Sequence, residues 1–161
     1  MEIHNGASLS WGFGDDGNTT YLDRMLRHGH RNILPIAADD NHSNDTEDPA
    51  NELFTGFMMI KAESLTYPAI IAALKAGDAY ASQGPLIHEL SIEDGRVHLV
   101  CSEATEILLR TENRRAERRY GSLTEGDFTI HRDMGYFRFE IVDKTGKRAV
   151  TRAYDANRYG R

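Results

Sequence analysis

Asp40 and His42 are the residues best placed to do chemistry, because they close the run Ile33-Leu34-Pro35-Ile36-Ala37-Ala38-Asp39-Asp40-Asn41-His42. The apolar residues Ile33–Ala38 read as a buried strand, and polar residues follow where such a strand emerges from its sheet. If the chain is still extended there, Asp40 and His42 share a face, since strand side chains alternate with period two. A carboxylate and an imidazole then reach one ion, a donor pair suited to zinc, manganese or iron. The Asp-x-His spacing alone has little specificity, and the same residues equally open a solvated loop. Asp39 points the other way, which suits a supporting or solvated carboxylate rather than a ligand.

Two patterns position these residues. Up to residue 84, strand-like and helix-like segments alternate. A strand tail at Glu2–Gly6 enters a Gly/Ser/Asp-rich loop from Ala7 to Asn18, and a helix follows over Thr19–His28. Leu22, Met25 and Leu26 recur there at helical spacing, Thr20 and Asp23 form an approximate capping box, and Gly29 is placed to end it. After the Ile33–Ala38 strand come a loop over Ser43–Asn51 and a strand over Phe54–Lys61. A second helix has Thr66 as cap, Pro68 in its first turn, an apolar stripe of Ile70, Ile71 and Leu74, and Gly77 as its stop. This order is α/β grammar.

From Leu86 the pattern becomes short alternating strands: Leu86–Glu93, Arg96–Ser102, Glu106–Thr111, Asp127–Arg132, Tyr136–Val142 and Arg148–Arg152. Asp94-Gly95 favours a tight hairpin between the first two. Phe137, Phe139 and Ile141 alternate with Arg138, Glu140 and Val142, as in a small β-sandwich. The expected organisation is α+β overall: an α/β unit over residues 1–84, then an all-β sandwich over residues 85–161, joined at Ser82-Gln83-Gly84-Pro85.

The composition, 40% hydrophobic and 27% charged over 161 residues, is that of a soluble globular protein. No apolar run approaches the length of a membrane span. Met1 leads into Glu2-Ile3-His4 without a basic and apolar leader, and the single Cys101 excludes an internal disulfide, so cytoplasm is the expected compartment. Residues 1–84 hold 5 Lys/Arg against 12 Asp/Glu, residues 85–161 hold 14 against 13, and the net charge of −6 therefore sits in the first part. That acidic part also has four of the seven histidines, which suits a cation better than a nucleic acid; solvated acidic loops give the same imbalance. Arg114, Arg115, Arg118 and Arg119 read as a solvated loop, and Cys101 as a core residue.

Four stretches recur together in one known family. Glu2-Ile3-His4-Asn5-Gly6 is similar to its Glu-Ile/Val-Tyr-Asn-Gly strand end, and Ala38-Asp39-Asp40-Asn41-His42 to its last metal motif. Ala73-Leu74-Lys75-Ala76-Gly77-Asp78-Ala79-Tyr80-Ala81-Ser82-Gln83-Gly84-Pro85 resembles its "ALKAGRFYASTGP" junction, and Arg148-Ala149-Val150-Thr151 departs slightly from its terminal "KAWTNP". In order and nearly end to end, they resemble the PHP (polymerase and histidinol phosphatase) superfamily of metal-dependent phosphoesterases, in the bacterial subgroup whose β/α barrel precedes a C-terminal β-sandwich.

The resemblance implies that the first part is the C-terminal portion of a PHP-type β/α barrel and that Asp40 and His42 are metal ligands. Asp39, His4 and Asn5 would stand just behind them, His4 because its strand would neighbour the Asp40 strand. In that family metal-activated water attacks a phosphoester. The family's N-terminal His-x-His and its His-Pro element have no counterpart here, because His28-Gly29-His30 sits at a helix terminus. The divalent metal (zinc, manganese or iron) is therefore expected to be incompletely coordinated by this chain, and phosphoester turnover by it alone to be poor. The other reading is a non-catalytic remnant or accessory module whose sandwich positions substrate or contacts protein. Neither a nucleic acid nor a membrane is an expected partner. Self-association is, through a barrel edge left open at Ile3 and Ile36.

Overall fold

The computed structural model describes residues 1–7, 18–41 and 53–161. The loops expected at Ala7–Asn18 and Ser43–Asn51 lie almost wholly outside these residues, and so does His42.

β1 (Glu2–Asn5) and β2 (Ile36–Ala38) form a two-stranded parallel sheet, with Glu2 opposite Ile36 and Asn5 opposite Ala38. A parallel pair needs a crossover, and α1 (Asn18–Arg27) lies within it. Leu22 and Leu26, one turn apart, are fully buried, whereas Met25, expected in the same stripe, is largely exposed. The buried stripe is therefore narrower than the sequence pattern suggested.

The other strands of the described residues belong to a second sheet: β3 (Phe57–Ile60), β4 (Ala79–Ser82), β5 (Ile87–Glu93), β6 (Arg96–Thr111), β7 (Ala116–Thr129), β8 (Tyr136–Val142), β9 (Arg148–Thr151) and β10 (Tyr154–Asp155). Its order is β3-β4-β9-β8-β6-β5, with β7 also on β6 and β10 on β8, and every pairing is antiparallel. Between β3 and β4 runs α2 (Tyr67–Ala76), preceded by an extended Thr66 and stopped as expected at Gly77. Gly77 adopts φ 75°, and the N–H groups of Gly77 and Asp78 turn back to the carbonyls of Leu74 and Ala73. A short α3 (Ala156–Tyr159) closes the chain, its first turn capped by the Asp155 carboxylate, which accepts from the Asn157 N–H.

The expected fold class is overturned. Instead of an α/β half-barrel followed by a separate sandwich, the described residues are mostly β, 47% strand against 20% helix, and among them no partial β/α barrel forms. The reason is strand direction. β3 and β4 flank a helix, the order in which α/β folds place parallel strands, yet they pair antiparallel, Phe57 opposite Ser82 and Ile60 opposite Ala79. β4 then pairs antiparallel with β9, Tyr80 opposite Thr151, so the sheet runs across the Ser82–Pro85 junction. Apolar periodicity is the same for either direction, and among the described residues only β1–β2 is parallel.

β6 explains a second departure. Arg96–Ser102 and Glu106–Thr111, expected as two strands, are one strand of 16 residues. Its first half pairs with β5 and its second half with β8 on one edge, while β7 follows its other edge throughout. The register shifts between Val100 and Ala104 and again between Ala104 and Glu106. Val97, Leu99 and Cys101 enter the core two residues apart, then Ala104, then Ile107 and Leu109. Each three-residue step is an extra residue that keeps apolar side chains inward while the strand bends. β7 likewise begins earlier than expected and takes in Arg118 and Arg119, which are strand residues rather than loop.

β8 separates two cores. Phe137, Phe139 and Ile141 join Phe128, Ile130 and the inward residues of β6. Tyr136, Ala81 and Val150 face Ile3, Leu22, Leu26 and Ala37, so the β1–β2 and α1 layer covers the opposite face of the sheet. Every residue of β8 is buried.

Candidate functional site

The described residues among those singled out by sequence, His4, Asn5, Asp39 and Asp40, gather where β1 and β2 end. Asn5 Nδ2 donates to Asp40 Oδ2 at 3.0 Å, and the Ala7 N–H donates to the Asp39 carbonyl at 2.9 Å. Asp40 is exposed, with φ 52°. That is the left-handed region, which Asp tolerates better than most side chains. β2 has therefore ended at Ala38, and Asp40 is not a strand residue. His42 itself lies outside the described residues.

Asp39 has partners of its own in the 54–56 segment. Oδ2 accepts from the Phe54 N–H at 2.7 Å, while Oδ1 accepts from the Gly56 N–H at 2.8 Å and the Thr55 hydroxyl at 3.0 Å. Burial by itself would raise the Asp39 pKa, but these bonds outweigh it and hold the carboxyl below its ordinary value. One carboxylate thus fastens the start of the 53–56 segment to the end of β2.

His4 is buried beneath the same corner, and its state follows from its neighbour. Gln83 Oε1 accepts from the Arg148 N–H at 2.8 Å, which fixes the amide orientation. Gln83 Nε2 therefore donates to His4 Nδ1, 2.6 Å away, and the imidazole carries its proton on Nε2. In that tautomer neither ring nitrogen offers a lone pair to a metal. Gly56 lies directly against the ring: a Cβ there would meet His4 Cδ2 at 2.6 Å and the Ala38 carbonyl oxygen at 2.8 Å.

The fit to a metal is partial. Among the described residues no group of three or more His, Cys, Asp or Glu side chains could hold an ion. Of the described candidates only Asp40 is an exposed carboxylate at the strand ends; Asp39 is taken up by the loop and His4 by Gln83. A metal here needs His42 and further donors from elsewhere.

Sequence reasoning missed an ionic cluster buried behind this corner. Arg138 and Glu140 on β8 are both fully buried. Arg138 Nε donates to Asp23 Oδ1 at 2.7 Å, and its Nη2 lies 2.8 Å from Glu140 Oε1. Arg148 Nη1 donates to Glu140 Oε2 at 2.8 Å, and Arg110 Nε stands 3.4 Å from Oε1. The Tyr136 hydroxyl joins Asp23 at 3.3 Å; burial foremost, with the Asp23 charge, pushes that phenol up to about 12. Asp23 is therefore an internal ion-pair partner and not a helix cap. The signal was in the sequence: Asp23 adjoins Leu22 on the buried stripe, and Arg138 and Glu140 interrupt the most apolar strand.

Among the described residues no helix is long and apolar enough to cross a membrane. Compared with known family models, curated proteins and solved structures, the chain finds no match.

Proposed function

We propose that this chain is the C-terminal part of a cytoplasmic, metal-dependent phosphoesterase similar to the PHP superfamily, in which Asp40 and His42 contribute to a metal site completed by donors from outside it. The observation that carries this reading is the position of Asp40, an exposed carboxylate steadied by Asn5 just beyond the carboxyl ends of the parallel pair β1–β2. Ligands of α/β units gather beyond the carboxyl ends of parallel strands. A bound divalent metal would supply activated water and charge neutralisation for phosphoester hydrolysis. The chain's own residues do the positioning: Asn5 orients Asp40, and Asp39 holds the 53–56 segment against the same strand ends.

The test is metal content after equilibrium dialysis of the intact chain against zinc, manganese or iron(II), beside Asp40→Ala and His42→Ala. Weak binding by the parent, lost in both variants, is expected, together with little turnover of an aryl phosphate by the chain alone. Equal metal content in all three proteins would overturn the reading.

A further inference from the structure

A cleft of about 640 Å³ opens between the β1–β2 and α1 layer and the turn that joins β8 to β9. Its wall carries Arg110 from β6, Lys147 and Arg148 at the start of β9, and Thr19 and Thr20 from the first turn of α1. Among the described residues no Asp or Glu lines it, in a protein of net charge −6.

The charge count behind the wall explains its sign. Three guanidinium groups, Arg110, Arg138 and Arg148, meet two carboxylates, Asp23 and Glu140. One positive charge is in excess before Lys147 is counted. The neighbouring Glu106 is matched by Arg118 at 3.0 Å. Asp143, in the turn, accepts from the N–H groups of Thr145 and Lys147 and from the Thr145 hydroxyl, and its charge offsets that of Lys147, so the excess stands at one positive charge.

Arg138 is sealed inside, whereas the side chains of Arg110 and Arg148 remain 30% and 43% exposed, and both lie in the cleft wall. Glu140 accepts from Arg148 Nη1 and stands within ion-pair distance of Arg110 Nε, which holds both guanidinium groups from behind. Each keeps further N–H donors, because a guanidinium has five. Preset, planar donors of this kind match the oxygens of a phosphate group. On the facing wall, the first turn of α1 contains no acidic residue, and a helix amino terminus carries partial positive charge of the same sign.

We propose that this cleft binds the phosphate group of a phosphomonoester, with Arg110, Lys147 and Arg148 as its cationic contacts. The volume leaves room for an organic group beside the phosphate. The proposal needs no metal ligand, so it stands or falls separately from the reading of Asp40 and His42.

The experiment is calorimetric titration of the intact chain with phenyl phosphate and with inorganic phosphate, at fixed ionic strength and with a chelator present. Phenyl phosphate is expected to bind, and Arg148→Gln and Lys147→Gln each to weaken it about tenfold, the loss of one charge-assisted contact. Lys147 is exposed and outside the Glu140 cluster, so Lys147→Gln leaves the fold intact even where Arg148→Gln disturbs it. Absence of phenyl phosphate binding, undiminished binding by Lys147→Gln, or binding of inorganic phosphate alone would each overturn the proposal. Loss of metal binding in Asp40→Ala with phosphate binding retained would separate the two sites.

Discussion

Arg138 and Glu140 stand two residues apart on one face of β8, both at 0% exposure, with 2.8 Å between Nη2 and Oε1. Neither charge would be tolerable there alone. Asp23, reached by Arg138 from α1, and Arg148, reached by Glu140 from β9, turn the pair into a chain that ties the helical layer to the sheet.

Removing one member should therefore cost more than removing a surface pair. Glu140→Gln leaves three guanidinium groups facing one another without their shared carboxylate. A loss of about 3–5 kcal/mol is expected, measured by urea unfolding. A loss below about 1 kcal/mol, the range of exposed pairs, would show that the cluster is solvated in practice.

The same carboxylate sets an acid limit. Burial alone would raise the Glu140 pKa, but Arg138, Arg110 and Arg148 outweigh it and hold it below its ordinary 4.5. The unfolded chain takes up this proton at higher pH than the folded chain does. The contribution is thus fully present above about pH 4.5 and is lost as the pH falls from there through the folded value. Asp39 and Asp143, also lowered, act in the same direction. Urea midpoints followed down the acid limb should fall less steeply in Glu140→Gln than in the parent; parallel curves would contradict the assignment.

Gly56→Ala probes the packing under the Asp39 corner. Its Cβ would lie 2.6 Å from His4 Cδ2 and 2.8 Å from the Ala38 carbonyl, and backbone cannot yield as a side-chain tip can. The expected destabilisation is about 1–3 kcal/mol, with a shift of the His4 imidazole resonances as the ring leaves Gln83. Unchanged resonances would mean that the segment moves instead of the ring.

Cys101 should be inert. It is 3% exposed, and burial pushes its thiol up to about 11, so little thiolate exists at neutral pH. An aromatic disulfide reagent is expected to react only after denaturant is added. Rapid labelling of the native chain would place Cys101 outside the core.

Much of the local structure was legible. Tyr136–Val142 spans the residues the alternation suggested, and Asp94 and Gly95 both take positive φ in the turn between β5 and β6. Direction and covering were not. β3 and β4 flank a helix, yet pair antiparallel, and nothing in their period distinguishes the two cases. The alternation of Phe137 with Arg138 implied one wet face, but α1 covers it, and Arg138 Nε bonds Asp23, 115 residues earlier in the chain. At the site, the pairing of Asn5 with Asp40 spans 35 residues and depends on strand register. A left-handed turn at Asp40 leaves no trace in composition, since Asp accommodates many conformations.

The span from Asp23 to Arg138 also bears on the order of assembly. β5, β6 and β7 are neighbours in sequence and can zip from their turns, whereas α1 finds its partner only after β8 has formed. Closing so long a loop is slow relative to forming hairpins. The helical layer is accordingly the last part to fold and the first to detach, and its amides should exchange with solvent sooner than those of β6 and β8.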